Sequence, residues 1–218
     1  MEKLLSGFTG KKNFWPRLLI SLVAVINMGV MMSLLIQVNL GTDPFTLMNR
    51  AIAAKLHMSL GNWQALLNLM LFVVVMIFGA RNFGFGSLFN MFLVGYVIDF
   101  CTWLWNKIFP MEMFQLMSVR IAVLIPVMIA FVISVALYMD VDMGTAPYDA
   151  IPYLISARLP NVSFRTIRMC FDLTVTLIGW ILGEMPGVVT ALIVILLGPM
   201  ISWMGNWLAQ HFKLFREF

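Results

Sequence analysis

Apolar residues gather along this chain into long runs separated by short polar clusters. They do not alternate with polar residues as they would in half-buried strands. No charge interrupts residues 18–42, 121–139 or 185–210. A helix needs about 20 apolar residues, at 1.5 Å per residue, to cross roughly 30 Å of hydrocarbon. The pattern predicts membrane spans near 17–38, 62–80, 84–106, 119–139, 164–183 and 187–208. Between them lie shorter segments at 44–57 and 147–159. The first carries Asn49, Arg50 and Lys55, and the second Asp149, Pro152 and Arg158. Neither is long or apolar enough to cross alone, so each is expected to be re-entrant or interfacial.

The chain also repeats itself. A shift of about 103 residues places Arg17 on Arg120, Leu34 on Leu137, and Asn39–Phe45 (NLGTDPF) on Asp142–Tyr148 (DMGTAPY). After a one-residue insertion Ser59, Asn68 and Gly79 fall on Ser163, Asp172 and Gly183. A compensating deletion then brings Gly84, Ser87 and Gly95 onto Gly187, Thr190 and Gly198. Similar helices match by chance; Gly-Thr-x-Pro-aromatic in register with flanking glycines does not. Three spans per half would set the halves in opposite orientations. The expected fold is therefore all-α and integral to the membrane, with about six transmembrane helices in two inverted three-helix repeats. Each repeat holds a short re-entrant or interfacial helix after its break. The expected divisions are a cytoplasmic basic N-terminus (1–16), a first membrane repeat (17–107), a linker (108–118), a second repeat (119–208) and a tail (209–218). Lys3, Lys11, Lys12, Arg17, Arg81, Arg158, Arg165, Arg168, Lys213 and Arg216 then share the cytoplasmic side with both termini, as the positive-inside rule favours. Short helices that crossed would make the repeats parallel with a similar charge bias, so charge alone leaves the choice open.

Composition agrees. The chain is 61% hydrophobic and 11% charged, against roughly 25% charged in a soluble domain. The excess of basic residues, +4 in all, flanks the spans without aromatics interleaved on a polar segment, so nucleic acid is not an expected partner. The lipid bilayer is. The basic residues before the first span resemble a signal sequence, but the apolar run is too long for one and lacks a cleavage pattern. Cys101 and Cys170 fall in apolar segments and read as small buried hydrophobes. The methionines are dispersed filler, and His57 and His211 sit at segment ends. Trp15, Trp63, Trp103, Trp105 and Trp207 fall near span ends as interfacial anchors. No catalytic constellation, phosphate loop or cofactor motif occurs; an enzyme is not expected, nor a cofactor or metal.

The breaks hold most of the candidate chemistry. Gly41 and Gly144 permit backbone closed to other residues, and Pro44 and Pro147 suit the first turn of a helix. Thr42, Asp43 and Thr145 are available as caps. Thr46 and Asn49 follow in the first half and Asp149 in the second. Paired helix termini of this kind bind substrates and ions in broken-helix transporters; a capped anchoring turn is the plainer alternative. Asn68, Asp99 and Asp172 add polar groups within spans, where an acid at the centre costs about 2.5–3.5 kcal/mol. Arg168, one turn before Asp172, is a possible ion-pair partner, and Asp99 lies near enough to a span end to reach the interface.

At NLGTDPFT and at Asn90–Asp99 (NMFLVGYVID) the sequence resembles the YczE/YitT group of bacterial multi-pass membrane proteins, over nearly the whole chain from about Arg17 to Trp207. The resemblance implies a prokaryotic cell-membrane location and supplies no functional residues. The leading expectation is a small secondary transporter or channel-like permease. Its small polar or ionic solute would bind at Gly41, Thr42, Asp43, Pro44, Thr46, Asn49, Asn68, Asp99, Gly144, Thr145, Pro147, Asp149 and Asp172. Acids there would coordinate a cation or relay protons, and the helix N-termini would face an anionic group. The rival is a non-transporting partner of another membrane complex, or of further copies of itself. A lipid-modifying intramembrane enzyme is a third.

Overall fold

The computed structural model describes residues 12–78 and 83–211. Lys3, Lys11, Arg81, Lys213 and Arg216, and with them much of the charge asymmetry expected from the sequence, lie outside the described residues. The described chain is helical without strands: α1 (Phe14–Val38), α2 (Pro44–Lys55), α3 (Leu60–Phe78), α4 (Phe85–Ile108), a 3-10 turn (Met111–Gln115), α5 (Met117–Asp140), α6 (Pro147–Ser156), α7 (Phe164–Ile181) and α8 (Val188–His211). Five of the described helices, α1, α3, α4, α5 and α8, are long and apolar enough to cross a membrane. The 18 residues of α7 include Arg165, Arg168 and Asp172. At 12 and 10 residues, α2 and α6 extend about 18 and 15 Å, well short of the hydrocarbon thickness.

Both breaks are built alike. The chain leaves α1 through Asn39 (φ 53°) and Gly41 (φ 109°), and leaves α5 through Asp142 (φ 48°) and Gly144 (φ 114°). Asn and Asp tolerate the left-handed region, and Gly occupies it freely. Proline then starts α2 and α6, as the sequence predicts. Each break is tied to a helix start in the other half: Val189 N–H donates to Leu40 O (3.0 Å), and Gly86 N–H to Met143 O (2.8 Å). The approach is close enough that a Cβ on Gly187 would overlap the Leu40 carbonyl.

Helix directions follow from contacts along their lengths. Ser21 faces Gly86 at the start of α4, while Gln37 donates to Asn106 (2.7 Å) near its end; α1 and α4 run the same way. Arg17, in the first turn of α1, donates to Val141 O just past α5 (2.9 Å), so α1 and α5 run oppositely. Asp140 lies against Gly205, which places the end of α5 beside the late part of α8. The core is an apolar seam of α1, α4, α5 and α8, including Val25, Leu35, Ile98, Phe131 and Val189. The outer faces are apolar as well: Ile77 is 72% and Ile181 81% exposed. In water such a surface would drive association; against lipid tails it is the expected exterior.

Candidate functional site

The two breaks converge. Phe45 and Tyr148, each the residue after the proline, lie with ring centroids 4.4 Å apart. Around Tyr148 a polar network closes. Its hydroxyl donates to Asp172 Oδ1 (2.6 Å), Arg168 Nε donates to Asp172 Oδ2 (2.9 Å), and Arg168 Nη1 donates to Asp149 Oδ1 (2.7 Å). The guanidinium also sits over the Tyr148 ring, 5.4 Å from its centroid. Asp172 is buried within α7, and Arg168 and Tyr148 together satisfy both its oxygens, which offsets the cost of its burial.

On the other side of the ring pair, Asp43 caps α2 by accepting from Thr46 N–H (3.0 Å). α6 has Ala146 at the matching position and no side-chain cap, so Thr145 does not cap it and Asp149 in its first turn supplies the negative charge. A cavity of ≈ 1080 Å³ opens beside the paired breaks. Of the residues singled out in the sequence, Asp43, Pro44, Thr46, Gly144, Thr145, Pro147, Asp149 and Asp172 line it.

The others have different places. Gly41 packs against Gly187 and Thr190, and Thr42 is buried with its hydroxyl 3.4 Å from Asp43 O. Asn49 and Asn68 are fully buried, donating to Phe45 O (2.8 Å) and Met91 O (3.4 Å). Asp99 accepts from Gly61 N–H (2.7 Å) in the first turn of α3, a helix-capping role. Cys101 is buried as expected, but Cys170 is exposed on α7, and neither is in a disulfide.

Gln64 and Tyr138 also line the cavity, and the sequence reading passed over them. Both are nearly fully buried. Gln64 Oε1 has no hydrogen-bond partner among the described residues, whereas the Asp43 carboxylate is held by Thr46 and the Phe45 backbone and the Tyr138 hydroxyl by the Ala146 backbone. A lone Gln in the apolar α3 was the available signal. Tyr138 gave none, since a tyrosine near a span end reads as an anchor.

The model of a family of unknown function, DUF6198, matches residues 15–206. The chain belongs to this family. It is similar to an uncharacterized protein of Haemophilus influenzae, 25% identical over 191 residues that cover 88% of this chain and 84% of that one. It is also similar to the uncharacterized membrane protein YczE of Bacillus subtilis, 26% identical over 160 residues covering 73% and 71%. The resemblance to a YczE-like family read from the break motif therefore holds, and this DUF6198 chain is a multi-pass membrane protein. No solved structure matches it.

Proposed function

We propose that this chain is a small secondary transporter, not an enzyme, that moves a polar or ionic solute through the cavity where its two breaks meet. In this reading it is made of two inverted repeats, each of three spans and one re-entrant helix. It sits in the prokaryotic cell membrane with both termini cytoplasmic. The observation that carries the reading is the crossed tie of the breaks, in which Leu40 accepts from Val189 and Met143 from Gly86. These are the same contact under exchange of the halves, the relation of a pseudo-twofold axis. Helix directions support inversion. A crossing α2 would turn α4 against α1, yet the two run the same way, and the matching helices α1 and α5 run oppositely. α7 then serves as the sixth span, its charge met by the Arg168–Asp172–Asp149 network. Discontinuous helices meeting at a cavity are the arrangement alternating-access transporters use.

The orientation is tested by single cysteines at His57 and Pro160, both exposed, in a chain with Cys101 and Cys170 replaced by alanine. With a membrane-impermeant thiol reagent on intact bacteria, only His57→Cys should label. Labelling of both or neither puts the short helices on one face and removes the inverted-repeat basis for transport.

A further inference from the structure

We propose that the solute is an amphipathic organic cation, an amidinium or protonated amine carried on an apolar body. This rests on the transport reading of the cavity and gives it a substrate class. Charge comes first. Asp43, Asp149 and Asp172 line the cavity against Arg165 and Arg168, an excess of carboxylate. Arg168 is already shared between two of those acids and so offers little to an incoming anion. The helix N-termini, which the sequence expectation assigned to an anionic group, each carry their own acid: Asp43 caps α2 and Asp149 sits in the first turn of α6.

A buried unpartnered atom agrees. Gln64 Oε1 is an acceptor only. Gln64 is 2% exposed, so this oxygen is cut off from bulk water, and an unmet buried acceptor costs about 1–3 kcal/mol. A ligand that donates N–H groups relieves that cost. Most of the rest of the wall, with Met32, Phe72, Phe131 and Val135, is apolar. The volume of ≈ 1080 Å³ suits a drug-sized body. A bare metal ion fits poorly, because the described residues contain no cluster of three or more metal-ligating side chains.

The test uses the purified full chain in detergent and two probes of one shape and opposite charge, biphenyl-4-carboxamidine and biphenyl-4-carboxylate, with calorimetric titration as the readout. Two variants accompany it. Asp43→Asn removes the charge yet keeps a good N-cap. Gly198→Trp fills the cavity from a lining position where an added side chain meets no atom within 4 Å. The amidine should bind about tenfold or more tighter than the carboxylate. Asp43→Asn should weaken it about tenfold, and Gly198→Trp should abolish it. Should Asp43→Asn fail to fold, Gln64→Leu must weaken the amidine in its place. Tighter carboxylate binding that Gly198→Trp removes would overturn the cation and keep the site. Amidine binding indifferent to the variants would overturn the assignment to this cavity. Binding of neither probe would overturn both the cation and the transport reading.

Discussion

Arg168 bridges two acids that belong to different helices, Asp172 on its own α7 and Asp149 on α6. With the Asp172 side chain 8% exposed and Arg168 27%, the pair sits largely away from water, and the arginine offsets the charge that α7 must carry if it is the proposed sixth span. Removing the arginine leaves an uncompensated buried carboxylate. Arg168→Met is expected to cost about 3 kcal/mol, at the low end for breaking a buried pair because Asp149 keeps partial access to solvent. Arg168→Met with Asp172→Asn should recover more than half of it, read from thermal unfolding of the purified chain. A double variant no more stable than the single one would show that Arg168 acts through packing on Tyr148 and not through charge. The i, i+4 spacing made the Arg168–Asp172 pair legible in the sequence. Asp149 as second partner, and the Tyr148 hydroxyl as third, were not legible, because helix packing alone brings them to α7.

At the scale of the element, the breaks were the most readable part of the chain. Glycine, threonine and proline at fixed spacing announce where a helix stops and another begins, and α2 and α6 start where that spacing requires. Their C-termini fall at Lys55 and Ser156, a little before the expected 57 and 159, because backbone turns close earlier than the apolar pattern ends. Repeat pairing does not reveal where matching elements differ. Gly95 and Gly198 occupy paired positions on α4 and α8. A Cβ on Gly95 would lie 2.8 Å from Gly61 Cα, whereas one on Gly198 meets nothing within 4 Å. Arg165 takes the place matching Gly61, so α7 and α8 stand apart and leave the cavity between them. The same substitution should thus have opposite signs. Gly95→Ala is expected to destabilise by about 1–3 kcal/mol through overpacking. Gly198→Ala should stabilise by about 0.5–1 kcal/mol through backbone entropy. Parallel denaturation curves check both, and a loss in both would mean that α8 closes on α7 in the folded protein.

For the molecule as a whole, composition and run length sufficed to read membrane embedding, whereas the relation proposed between the halves rests on contacts between residues far apart in the chain. Two such contacts, one for each short helix, reach the opposite half. Arg50 on α2 pairs with Glu184 in the α7–α8 turn at 3.1 Å, and Arg158 after α6 lies over the Phe78 ring at the end of α3, 4.8 Å from its centroid. The ion pair is nearly a third exposed on both sides and contributes no more than about 1 kcal/mol, so its value is as a marker of place. If α2 and α6 crossed the bilayer, Arg50 and Arg158 would move toward faces opposite Glu184 and Phe78. Arg50→Cys with Glu184→Cys, in a chain lacking Cys101 and Cys170, should therefore be joined by a short bifunctional maleimide. Proteolysis in the linker around residue 112, followed by denaturing electrophoresis, should then leave the two halves migrating as one species. Each single-cysteine chain should separate into its halves under the same treatment. Separation of the double variant would place the end of α2 away from the α7–α8 turn, and the exchange relation between the halves would fail with it.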